Sequence, residues 1–134
     1  VYSVRSCHAT NSLPTDTSVF DQMRCIVGER YKLIYNLLPG LPWVPVDFSG
    51  TEMFAELKRM HKSGELDTLS SRLYFSPTRP MFELYDLRND PCEQHNLIDD
   101  PALKEVRNDL ILKLTYKMIE DEDFVTLPHP KIYE

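Results

Sequence analysis

Basic charge is scarce in this 134-residue sequence: 15 lysines and arginines face 21 aspartates and glutamates, for a formal net charge of −6. A nucleic-acid partner would require a concentrated basic surface to neutralise phosphates. Lys58, Arg59, Lys62, Arg72 and Arg79 are instead scattered, which excludes that class. Long apolar runs are also missing, and none approaches the roughly 20 residues that span a bilayer. The cysteines Cys7, Cys25 and Cys92 are odd in number, so they cannot make a fully paired disulfide framework within the chain. One bridge can form, and any of the three pairings remains open. Neither phosphate loop, GxxxxGK(S/T) or GxGxxG, occurs, and HExxH and GxSxG are absent as well. No repeat or low-complexity tract is visible. The opening on Val1 rather than Met leads us to expect an excised piece or a processed product.

The length fits one domain, and an apolar content of 42% suffices for a core. Val1–Cys7 is β-branched, aromatic and alternating, which predicts a strand. Asn11–Ser18, rich in Asn, Ser, Thr, Pro and Asp, predicts a loop. MRCIV and YKLIYN flank Gly28-Glu29 and predict a hairpin over Met23–Asn36, with Gly28 supplying a positive φ at the turn. Met23, Cys25 and Val27 would share one face and Arg24 the other. Pro39, Gly40, Pro42 and Pro45 surround Trp43 and forbid helix or central strand. Trp43 is either an anchor in the core or a surface for a ligand.

A helix is expected from about Ser49, capped by that hydroxyl, with Met53, Phe54, Leu57 and Met60 as its buried stripe and Gly64 as its stop. Leu66–Tyr74 has the makings of a second short helix. Phe82–Leu87 alternates as a strand until Asn89-Asp90-Pro91 turns it. A long helix follows, with Asp100 as cap, Pro101 in its first turn and Leu103, Val106, Leu110 and Leu114 as its apolar face. The resulting expectation is an α+β domain: about four antiparallel strands, a covering C-terminal helix, and a helical insertion between the third and fourth strands.

The chemistry-bearing residues have structural explanations beside the functional ones. Asp99-Asp100 resembles a cation-binding pair but stands where a helix cap belongs. Asp86, Asp90 and Glu93 suggest an acid cluster, yet turn chemistry accounts for them. Cys92 and His95 supply too few ligands for a closed zinc site, and no nucleophile elbow accompanies either cysteine-histidine pair. Glu120, Asp121, Glu122 and Asp123 read as the solvated end of the last helix. His61 and His129 have no evident partner set. His8, at the end of the first strand, can reach a ligand while its backbone stays fixed. Arg24 and Arg30 flank the hairpin and can hold an anion.

Three segments in order, RCIVGERYKLIYNL, LPGLPWVPVDF and MFELYDLRNDPCEQHNLIDDPALKEV, resemble the C-terminal subdomain of the sulfatase family, and within it the heparan N-sulfatase (N-sulfoglucosamine sulfohydrolase) group. The residues carrying the resemblance are Arg24, Arg30 through Asn36, Glu83 through Leu87, Asp90, Pro91, Glu93, Asn96 and Leu97. It implies a parent that hydrolyses sulfate esters or sulfamates on sulfated saccharides such as glycosaminoglycans, using calcium and a formylglycine made within a (C/S)-x-P-x-R motif. It also implies an extracytoplasmic or lysosomal compartment. None of that machinery maps onto this chain, because no cysteine here has Pro two residues on and Arg four residues on. The resemblance thus implies no catalytic residue, cofactor or metal site in this segment. The partner it implies is an N-terminal catalytic domain of the same protein, against which this segment packs while helping to wall the substrate pocket. His8, and after it Arg24, are the substrate-binding residues it implies.

Overall fold

A computed structural model describes residues 1–5, 21–43, 45 and 48–124. Cys7, His8, the loop expected over Asn11–Ser18 and His129 lie outside the described residues. Four strands, β1 (Tyr2–Arg5), β2 (Met23–Val27), β3 (Tyr31–Asn36) and β4 (Phe82–Asp86), form one antiparallel sheet in the order β1-β2-β3-β4. Helices α1 (Glu52–Ser63) and α2 (Thr68–Phe75) are inserted between β3 and β4, and α3 (Lys104–Glu120) follows β4. This is the α+β arrangement expected, with its helical insertion in the expected place. Among the described residues no helix is long and apolar enough to cross a membrane.

Strand pairing sorts the side chains onto two faces. Tyr2 pairs with Ile26, Ile26 with Leu33 and Leu33 with Leu84, so these four stand on one face with Arg24, Tyr35 and Phe82. α3 covers that face, burying Leu110 and Leu114 against Leu33 and Leu84. Val106, Ile111 and Met118 pack around them, and Leu103 joins from the 3-10 turn Pro101–Leu103 that leads into α3. Asp100 caps that turn by accepting from the Ala102 N–H at 2.9 Å, which gives the residue the capping duty expected of it.

Three local expectations are corrected. Gly28 does not take a positive φ; the hairpin turn is a longer one, closed by the Gly28 N–H donating to the Tyr31 carbonyl at 2.9 Å. α1 is capped by Thr51, not Ser49, because the Thr51 hydroxyl is the one that accepts from the Phe54 N–H, at 3.3 Å. Of the predicted α1 stripe only Phe54 is buried, while Met53 is 64% exposed. The apolar partners of Phe54 come from within the insertion: Phe48 and Phe75 lie 5.2 and 5.7 Å away between ring centroids. His61 stacks on Phe75 at 4.6 Å, which gives it the partner its sequence context did not show. Gly64 ends α1 as expected, at φ 75° in the left-handed region that glycine enters without cost.

Candidate functional site

The sheet face away from α3 carries Met23, Ile34, Glu83 and Tyr85, and α2 does not close down on it. A cavity of about 450 Å³ is left between them. Two side chains fix its wall: Trp43 from the proline-rich loop and Tyr74 from α2, with ring centroids 5.8 Å apart. Trp43 is half-buried against Tyr74 and lines the cavity, outside the leucine core under α3.

The loop that presents Trp43 is held by Arg79. Its guanidinium is paired with Asp21 at 2.7 and 3.0 Å and donates to the Leu41 carbonyl at 3.2 Å, while its N–H donates to the Pro39 carbonyl at 2.9 Å. Pro39 and Pro42 have no N–H to donate, and the Leu41 N–H closes a turn onto the Leu38 carbonyl at 3.1 Å, so an arginine from the far end of the insertion satisfies the Pro39 and Leu41 carbonyls. On the floor, the Tyr85 hydroxyl donates to Glu83, and Asn36 Nδ2 donates to the same carboxylate at 2.5 Å. Burial, then this hydrogen bond, raises the Tyr85 pKa far above that of an ordinary phenol, so Tyr85 stays a donor. At the rim, Arg72 donates from Nη2 to the Gln94 carbonyl at 2.7 Å. Asn96 Oδ1 accepts from the Leu84 and Ile98 N–H groups at 2.9 and 3.1 Å.

The acids of the segment after β4 are used for folding. Asp86 is held by Arg30 at 2.6 to 3.1 Å and also accepts from Asn89 Nδ2 at 2.8 Å, which keeps its carboxyl well below the usual range, Arg30 being the largest cause. Asp90 accepts from the His95 N–H at 2.7 Å, and Glu93, at φ 55°, accepts from Lys32 Nζ at 2.7 Å. These bonds lock the turn that delivers Asn96 to the cavity. Among the described residues no group of three or more His, Cys, Asp or Glu is placed to hold a metal ion.

Arg24 lies on the opposite face of the sheet from the cavity. It is 3% exposed, and its guanidinium grips Asp123 through Nε and, at 2.7 Å, through Nη2; the Tyr2 hydroxyl donates to the same carboxylate. Arg24 reaches an external anion only by releasing that pair. The acidic run after α3 is correspondingly not all solvated: Glu122, at φ 50°, reverses the chain, and the Asp123 N–H bonds the Met118 carbonyl at 2.9 Å. That reversal folds the carboxylate back under the sheet. Sequence alone nominates neither Arg72 nor Asn96 for a site: Arg72 is one of the scattered bases and Asn96 counts only toward the family resemblance, because nothing in their local pattern places them at a cavity.

What these observations define is a small α+β fold with one sheet face packed under α3 and a cavity on the other. In sequence it is similar to sulfatases. It is 56% identical over 115 residues to an ulvan-active sulfatase of Formosa agariphila, an alignment covering 83% of this chain and 19% of that protein. A second ulvan-active sulfatase of the same organism is 31% identical over 101 residues, 71% of this chain and 17% of its own length. The chain thus spans less than a fifth of the length of the curated relatives it matches. No protein-family model matches it.

Proposed function

We propose that this chain is the C-terminal domain of a sulfatase acting on a sulfated saccharide, and that it packs on a catalytic domain and helps wall the substrate pocket. The observation that carries this reading is the 56% identity to part of an ulvan-active sulfatase over 115 residues. The same name favours an ulvan-type substrate over the glycosaminoglycan that the heparan N-sulfatase resemblance suggests. Packing on a larger domain is supported by α3, where Leu112, Tyr116 and Ile119 recur at helical spacing and are 53, 59 and 67% exposed. Apolar residues lined up on one helix face mark a surface that a partner covers. The parent's formylglycine and calcium supply the hydrolytic chemistry, and this chain carries no formylglycine motif: neither its three cysteines, Cys7, Cys25 and Cys92, nor any of its serines begins a (C/S)-x-P-x-R sequence. Its contribution is to position substrate, with His8 as the group that touches the sugar. A purely structural role is the second reading, favoured by Arg24, whose charge is used within the fold.

Turnover of 4-nitrophenyl sulfate and of sulfated oligosaccharides is the test. The 134-residue chain alone is expected to be inactive and the full-length parent active. In the parent, His8→Ala is expected to lower kcat/KM for the oligosaccharide about 10-fold more than for the aryl sulfate, the loss of one hydrogen bond to a charged or polar ligand group. Equal losses on both substrates would leave the structural reading standing, and activity of the chain alone would overturn both.

A further inference from the structure

We infer that the cavity between the sheet and α2 binds a sulfated saccharide, with Trp43, Arg72, Glu83 and Asn96 as its recognition groups. The ligand class rests on the sulfatase reading above, and the place rests on the cavity's own geometry. A cavity of about 450 Å³ has the size of a small-molecule site, which typically combines apolar walls with a few oriented polar groups. Here each polar group is already oriented by a bond to the fold.

Arg72 differs from Arg79 in what it has left to give. Arg79 is held by Asp21, whereas no carboxylate among the described residues pairs with Arg72, which spends one nitrogen on the Gln94 carbonyl. The rest of its planar fork matches two oxygens of a sulfate. Asn96 is fixed through Oδ1 by two backbone N–H groups, which leaves Nδ2 as a donor with no partner among the described residues. Glu83 accepts from Tyr85 and Asn36, two of the roughly four lone-pair sites a carboxylate offers, and the remainder suit sugar hydroxyls. A carboxylate in the floor repels a second anion, so the sulfate lies at the Arg72 end and the hydroxyl-bearing ring toward Glu83. Trp43, held by Tyr74, offers a flat apolar surface for the C–H face of that ring. Inorganic sulfate would satisfy Arg72 alone, and an uncharged sugar would satisfy everything but Arg72. Only a sulfated saccharide uses the whole site.

Trp43 is the single tryptophan of the chain, so its emission reports on this cavity directly. Titration of the full chain with sulfated oligosaccharide prepared from ulvan is expected to give a saturable change in that emission. The chemically desulfated oligosaccharide and inorganic sulfate are each expected to bind at least about 10-fold more weakly. Arg72→Gln is expected to weaken binding of the sulfated form by about 10-fold or more, the worth of one hydrogen bond to a charged group, and to weaken the desulfated form's binding by much less. NMR of the unsubstituted chain supplies a check that needs no variant: the Trp43 indole and the Gln94 and Asn96 side-chain amides should shift together along the titration. No saturable change, Arg72→Gln binding the sulfated form like the parent sequence, or shifts confined to other residues would overturn the inference. The sulfatase reading fails separately, by an inactive full-length parent, whatever the cavity binds.

Discussion

The Asp123 carboxylate, just beyond the end of α3, is a structural charge. Arg24 and Tyr2, on the first two strands, both terminate on its carboxylate, closing the chain's end against its beginning. The pairing has a pH signature in each direction. Arg24, then the Tyr2 hydrogen bond against some desolvation, holds the Asp123 carboxyl below its ordinary value of 3.8. Its contribution is therefore present above about pH 4 and is lost as pH falls through the lower folded value. Burial, then Asp123, pushes the Tyr2 hydroxyl from 10.0 up to about 12. A raised pKa stabilises the protonated form, so this contribution is full below pH 10 and is lost as pH rises toward 12. Tyr2→Phe should therefore flatten the alkaline limb of stability against pH by about 1 kcal/mol after allowance for solvent screening, measured by urea unfolding. Tyr85, raised in the same direction, leaves a residual slope in the variant. An unchanged alkaline limb would mean that Tyr2 does not hold Asp123. None of this was legible locally, because the partners are 99 and 121 residues apart and the acidic run has the composition of a solvated helix end.

Secondary-structure elements were legible wherever a local rule dominates. The alternation in MRCIV and YKLIYN placed both hairpin strands with their observed bounds, and the three-to-four spacing from Leu103 to Leu114 placed α3 on the sheet. Caps were legible to within a few residues, since Ser49 and Thr51 both carry a hydroxyl and only the backbone decides which one faces the first turn. Gly64 is the sharper case. Its φ of 75° lies where a Cβ is strained, yet a Cβ there would meet nothing within 4 Å, so a substitution isolates the backbone term. Gly64→Ala should cost about 1 kcal/mol in urea unfolding, with an unchanged slope against denaturant. A neutral substitution would show that α1 ends without the left-handed residue. Packing of the insertion was less legible: α1 buries one side chain, Phe54, among aromatics supplied by its own insertion rather than laying a stripe on the sheet.

The whole molecule has one tightly packed face and one open face, and that asymmetry follows from where the covering helices come from. α3 arrives at the end of the chain with a continuous leucine stripe and seals its side, burying Leu33 and Leu84 completely. The insertion covers the other side with α2 and a proline loop tied down by Arg79, and a cavity remains. The sequence revealed the first packing because one period repeated over many residues; the cavity arises from segments spread from β2 to the turn after β4, none of which encodes it alone. Stability accordingly concentrates under α3. Leu114, 2% exposed against Leu33 and Leu84, is the residue whose truncation tests this. Leu114→Ala should cost about 3 kcal/mol, transfer plus cavity, a large part of the 5–15 kcal/mol typical of a whole domain. The isolated chain carrying it should unfold at distinctly lower urea than the unsubstituted chain. The proposed packing on a catalytic domain would add stability to the folded form that the isolated chain lacks, so on that proposal the same variant should stay folded in the full-length parent at urea concentrations that unfold the isolated chain. Identical midpoints for this domain in both settings would show that the exposed face of α3, with Leu112, Tyr116 and Ile119, gains nothing from a neighbour and that the domain stands by its leucine core alone.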